Sequence, residues 1–173
     1  MTSKYNKSLL ALFVGLAVLG AVGCKPKSEN ITPLQRKEAA SLVSEAQFAL
    51  TLRDYARAEP LFEKAAKLCP DDGEYWLGLG VTRRRLGNTS GAKAAYEEAR
   101  SAYRDAFKKD PNDGEALLQE VYVLALLGRV DEANSTVEKA RGKHPENSRL
   151  RKFVENKQME RLVAEPGFKE IAL

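Results

Sequence analysis

The chain has 173 residues, 28 of them Lys or Arg and 24 Asp or Glu, with 43% hydrophobic residues and a formal charge of +4. That is enough for one domain with a real core. One His and two Cys leave no disulfide scaffold and no paired His/Cys metal spacing. The near-balance of charge leaves no electrostatic case for nucleic acid.

The first segment reads as a targeting signal. Lys4 and Lys7 make a positive start, and Leu9 to Gly23 is an uncharged, mostly apolar run of 15 residues. A membrane span needs roughly 20 residues, so the run has the length of a signal-peptide core. It ends in Ala21-Val22-Gly23-Cys24. This resembles a bacterial lipobox, although Ala21 stands where Leu is commonest. The resemblance implies cleavage before Cys24, acylation of Cys24 and a palmitate-type anchor. The alternatives are an ordinary secretory signal and an uncleaved anchor. Two or three acyl chains would make attachment permanent, because each buried CH₂ contributes about 0.8 kcal/mol. Lys25 in place of Asp leans, by the same resemblance, toward the outer of two membranes. Loss of residues 1–23 removes two Lys, so the mature chain has 26 basic and 24 acidic residues, a net charge of +2. Cys69 is then left without an intramolecular partner and reads as a small packing residue. A free thiol there could also join two chains.

Residues 24–32 read as a short tether, polar and with Pro26, reaching about 25 Å at ~3.3 Å per residue. Thr32-Pro33-Leu34-Gln35 predicts a helix start, with Thr as cap, Pro at the first position and Gln bonding back. The chain then alternates helix, tight turn, helix. The predicted pairs are 33–52 with 54–68, 74–86 with 88–109, and 114–127 with 129–142. Asp54 is a predicted cap, and Gly87 and Gly128 sit at the turns. Pro70, Pro111 and Pro145 close the pairs, since Pro cannot continue a helix. Residues 147–164 predict one more amphipathic helix, carrying Leu150, Phe153, Val154, Leu162 and Val163. Glu165-Pro166-Gly167 ends it, and Phe168 and Ile171 could dock in a last turn.

A motif recurs along this pattern: Ala58-Phe62-Ala65-Pro70, Ala92-Tyr96-Ala99, Ala99-Tyr103-Ala106-Pro111 and Ala133-Val137-Ala140-Pro145. The steps from 58 to 92 and from 99 to 133 are 34 residues, and a strict period of that length means stacked helical repeats. Trp76, Leu79, Gly80, Gly87, Ala92, Tyr96 and Ala99 stand as in a tetratricopeptide repeat. The third pair keeps Leu117, Gly128, Ala133, Val137 and Ala140. The first keeps Leu42, Ala46, Ala58, Phe62 and Ala65, but has Glu45 and Arg53 where Leu79 and Gly87 stand. Arg83 replaces the usual aromatic one turn after Gly80. The resemblance implies an all-α, right-handed α-solenoid of about three helix pairs (about 39–72, 73–113 and 114–147) with a C-terminal capping helix, all within 33–173.

The beat is broken once, by seven residues between Ala92 and Ala99. Seven residues are two turns and present the same face again. The helix over 88–109 is therefore about 10 Å longer than its partner. Either the third repeat slides along it, or the extra length forms a ridge for a partner or a homo-oligomer.

No constellation for chemistry emerges, so no enzyme, metal or cofactor is expected. The sole His, His144, stands at a helix end. No Gly-rich phosphate loop and no Gly-x-Ser-x-Gly occurs. Arg83, Arg84 and Arg85 point in three directions and complement a helix C-terminus. The family resemblance implies that the first helix of each pair lines a concave face. The expected peptide-binding residues are Val43, Gln47, Leu50, Leu77, Val81, Arg84, Leu118 and Tyr122, with Ala125 beside them. Glu74 and Glu115 lie at one edge of this strip, and Arg84 and Arg85 near the other. The C-terminal helix could cover part of it. The basic clamp that one subfamily uses for peptide C-termini is not matched, since its positions read Val43, Gln47, Gly78, Glu115 and Gln119. The expected function is a lipid-anchored scaffold or adaptor that binds another protein in the bacterial cell envelope, facing the periplasm. The alternative is a carrier of a lipid or other amphiphile in the apolar groove.

Overall fold

The computed structural model describes residues 30–173. The signal segment, Cys24 and most of the tether lie outside the described residues. Among the described residues there are nine helices and no strand: α1 (Pro33–Thr51), α2 (Tyr55–Leu68), α3 (Gly73–Arg85), α4 (Thr89–Lys109), α5 (Gly114–Leu126), α6 (Val130–Lys143), α7 (Ser148–Glu155), α8 (Gln158–Ala164) and α9 (Pro166–Ile171). Each of α1 to α6 packs chiefly on its neighbours in sequence, as in an all-α solenoid. No described helix is long and apolar enough to cross a membrane.

The starts of α1 to α7 fall within about a residue of the predicted ones, and Thr32 and Asp54 are the predicted caps. Gln35 N–H donates to Thr32 Oγ1 (3.2 Å), and Thr32 N–H donates back to Gln35 Oε1 (2.8 Å). Asp54, Asp72, Asn88 and Asp113 each accept a backbone N–H in the first turn of their helices. These bonds satisfy donors that a helix N-terminus otherwise leaves unpaired. Between pairs one turn recurs three times: Asp72, Asp113 and Asn147 N–H donate to the carbonyls of Cys69, Asp110 and His144 (3.0–3.1 Å).

Within pairs a second turn recurs three times. Arg53, Gly87 and Gly128 donate to the carbonyl three residues back (2.9–3.0 Å). Asp54, Asn88 and Arg129 donate five back, to Ala49, Arg83 and Leu124 (2.9 Å). This double bond is the Schellman ending, which needs a left-handed residue at its corner. Gly87 (φ +79°) and Gly128 (φ +74°) supply it freely, whereas Arg53 adopts φ +57°.

Packing follows the motif. Ala39, Ala46, Ala58, Phe62, Ala65 and Leu79 are buried in a first cluster. Ala92, Tyr96, Ala99, Leu117, Val121, Leu124, Ala133, Val137 and Leu150 are buried in a second, and Trp76 touches both. A Cβ on Gly80 would stand 2.4 Å from the Tyr96 ring, so only glycine admits that ring. Arg83 bonds to Glu59 (2.9 Å) and reaches Glu63 (3.5 Å), tying α3 to α2 where an aromatic was lost. In the first repeat Glu45 is exposed and pairs with Arg57 (2.6 Å) instead of filling a core.

The long helix carries the third repeat rather than a free ridge. Tyr103 lies over Gly73, whose Cβ would be 2.8 Å from the ring. Phe107 meets His144 edge-on at 5.7 Å, and Arg104 Nε donates to Glu120 Oε1 (2.8 Å). The exposed side of the extension carries Asp105, Lys108 and Lys109 and offers no apolar ridge to a second copy.

The predicted single helix over 147–164 is two helices. Lys157 takes φ +50° and breaks it. One continuous helix would place Lys157 and Arg161 on the stripe of Leu150 and Val154, and Met159 opposite it. The break lets Met159 be buried (3% exposed) and leaves Lys157 and Arg161 exposed.

Candidate partner-binding groove

The α3 and α5 helices present one strip of side chains, and the C-terminal helices close over part of it. Leu118 and Tyr122 from α5, Phe153 from α7 and Leu162 from α8 line an open cleft of about 450 Å³. Gln119, Gln158, Arg161 and Glu165 complete the lining. The walls are apolar and the rim is polar and charged, which is the make-up of a recognition cleft.

The structure brings together only part of the predicted strip. Leu118 and Tyr122 line the cleft. Leu77 and Val81 are half-buried against the same core. Arg84 is half-buried and donates from Nε to the Ala172 carbonyl (2.9 Å). Ala125 is buried (1% exposed). In the first repeat, Val43 is buried in the α1–α2 core and Leu50 packs on it, while Gln47 is exposed. None of these three lines the cleft. On the rim, Glu115 pairs with Arg149 and accepts from Gln119 Nε2 (3.0 Å). Arg85 pairs with Glu170.

The far wall escaped sequence reasoning. Phe153 and Leu162 are apolar positions of the predicted cap, but Gln158, Arg161 and Glu165 reach the cleft only because Lys157 breaks the helix. The signal was present as the clash of Lys157 and Arg161 with the apolar stripe. The covering of the strip was legible as a docked Phe168. That ring is buried (7% exposed) and meets Tyr122 edge-on at 6.0 Å.

A second hollow, about 250 Å³, lies at the N-terminal ends of α3 and α5, lined by Asp71, Asp72, Asp113, Tyr103 and Arg36 among others. Its acids have structural work. Asp72 and Asp113 cap helices, and Asp71 pairs with Arg36 (2.8 Å). Burial raises the Asp72 carboxyl above its usual range. Burial likewise pushes the Tyr96 and Tyr103 phenols well above theirs. Cys69 is 1% exposed and its thiol is raised by burial, which makes it a packing group rather than a nucleophile. Among the described residues no group of His, Cys, Asp or Glu is placed to hold a metal ion.

Antiparallel helix pairs stacked in series, with a cleft on the strip formed by their first helices, define a helical-repeat solenoid, a fold that presents an extended binding surface. The repeats are tetratricopeptide repeats: two models of this family match residues 43–99 and 92–156. The matches overlap at 92–99, the segment that separates the two copies of the motif seven residues apart. No curated protein matches the chain. Repeats of this kind are generally scaffolds for protein or peptide binding and not enzymes.

Proposed function

We propose that this protein is a lipid-anchored adaptor of the bacterial cell envelope that holds a segment of another protein in the cleft between α5 and α7–α8. The observation that carries the reading is the cleft itself: about 450 Å³, with Leu118, Tyr122, Phe153 and Leu162 as its apolar walls. That volume takes two or three side chains of a bound peptide, and an apolar groove with a polar rim suits a helix or an extended segment. The anchor rests on the sequence alone, on the apolar run Leu9 to Gly23 and the Cys24 that ends it. With so short a tether the repeats work close to the bilayer, periplasm-facing, and Lys25 favours the outer membrane.

A photo-crosslinker at Gln119, which lines the cleft, should trap a defined protein in cells. Leu118→Glu with Tyr122→Glu should abolish the capture while the domain keeps its helical signal. Capture that persists in the folded double variant overturns the cleft as the binding surface. Native mass spectra showing a bound amphiphile instead would make the cleft a carrier site. Labelled fatty acid should enter the wild type and be absent from Cys24→Ser; labelling of that variant would remove Cys24 as the anchor.

A further inference from the structure

The end of the chain is held in the way a ligand is held. Its anchor is Phe168, buried against Tyr122. Beyond α9 the backbone turns extended at Ala172 (φ −72°, ψ 157°), and the repeats meet its polar groups. The Tyr96 hydroxyl donates to the Ile171 carbonyl (2.8 Å), and Arg84 Nε donates to the Ala172 carbonyl (2.9 Å). The Leu173 N–H donates to the Leu126 carbonyl (2.8 Å). Arg85 pairs with Glu170. Three helices, α3, α4 and α5, thus aim donors and an acceptor at one stretch of backbone. With the tail in place Tyr96 is wholly buried, and its hydroxyl takes the Ile171 carbonyl as its partner. The tail itself is held from one side only. Glu165, Pro166, Gly167, Lys169, Glu170 and Leu173 are exposed, and no side chain caps α9.

We infer that this place is an exchangeable peptide site with the tail as its resident occupant. From a partner it takes a short segment of the same chemistry: an aromatic anchor, an acidic residue two later, an aliphatic residue three later, then extended backbone. This rests on the cleft reading and makes it specific. Tyr122 touches Phe168 and also lines the cleft, as does Glu165 at the root of the tail, so cleft and tail site form one continuous surface.

The test uses the full chain and a fluorescent peptide with the sequence of residues 165–173, read by anisotropy. Phe168→Asp in the chain should free the site, and the peptide should bind that variant about tenfold or more tightly than the wild type, whose tethered tail competes at roughly millimolar effective concentration. Adding Arg84→Ala to Phe168→Asp should weaken binding about tenfold, and Phe168→Ala in the peptide at least as much. Equal binding to wild type and Phe168→Asp, or none to either, overturns the inference. So does loss of the helical signal in Phe168→Asp, because the tail would then be part of the fold. Hydrogen exchange on the wild type decides the same point without substitution. The Leu173 amide should exchange about 100-fold faster than the interior amides of α5, and equal protection refutes exchangeability. No partner is present in these assays, so their failure leaves capture through Leu118 and Tyr122 standing. If the wild type captures no protein in cells, the cleft reading fails while the peptide affinities of wild type and Phe168→Asp still decide the tail site.

Discussion

Replacing Arg53 by glycine should stabilise the protein, although it deletes a whole side chain. Arg53, Gly87 and Gly128 occupy the same corner of the same turn, with the same pair of backbone bonds, at φ +57°, +79° and +74°. A left-handed conformation costs a residue with a Cβ about 1–2 kcal/mol, and glycine avoids that at the expense of a more flexible unfolded chain. Arg53 is exposed, so little packing is lost. The net gain for Arg53→Gly is therefore about 1 kcal/mol, or roughly 2–4 °C in Tm for a domain of this size. Gly87→Ala supplies the control. No atom lies within 4 Å of a Cβ built there, so its cost is conformational alone, about 1 kcal/mol in the opposite direction. Urea unfolding followed by circular dichroism at 222 nm should give midpoints that move apart in the two variants, with unchanged slopes. If both variants shift the midpoint in the same direction, the left-handed corner is not what distinguishes these turns.

Gly80→Ala should destabilise by about 1–3 kcal/mol in the same assay, because its Cβ would stand 2.4 Å from a buried Tyr96 ring that has nowhere to go. A neutral result would mean that α3 and α4 can separate freely. Stability should also fall as pH rises above about 10, the ordinary phenol value from which Tyr96 and Tyr103 are raised by burial. The sign follows from the protons: above that pH the unfolded phenols are ionised while the folded ones still hold theirs, so alkali favours unfolding. Absorbance at 295 nm should show part of the tyrosine ionising only together with the loss of helical signal. A single smooth titration of every tyrosine in the folded protein contradicts this.

The solenoid was legible because its determinants are local and repeated. Thr32 with Gln35, Asp54, Gly87 and Gly128 mark helix ends by chemistry that acts within four residues, and the alanines mark close crossings by their size alone. The groove was legible only by half. Leu118 and Tyr122 follow from helix periodicity, whereas Val43 has the same periodicity and is buried in the core that α1 forms with α2. The far wall depended on Lys157 at φ +50°, a conformation that a lysine rarely adopts. The tail site depended on contacts between residues some 80 positions apart, Arg84 to Ala172 and Tyr96 to Ile171, for which no local pattern exists.

The seven-residue insertion and the buried Glu120 explain each other. The stripe Ala92, Tyr96, Ala99, Tyr103 and Ala106 repeats itself after seven residues, so apolar packing alone would let the third repeat dock on α4 in either of two registers two turns apart. Glu120 is 4% exposed and faces Arg104 at 2.8 Å and Arg100 at 3.8 Å. Slid back by seven residues, it would face Glu97 and Lys93 in their places. A buried carboxylate against another carboxylate costs several kcal/mol, whereas the observed pairing offsets its desolvation. Arg100 and Arg129, which both pair with Glu132 from α4 and the start of α6, add to the same choice, and Arg129 also bonds Glu97 (3.0 Å). The charges thus select the register that the alanines and tyrosines leave open. That register sets α5, and with it Leu118 and Tyr122, two turns further along α4 than a regular 34-residue repeat would. It is there that α7, α8 and the tail meet them.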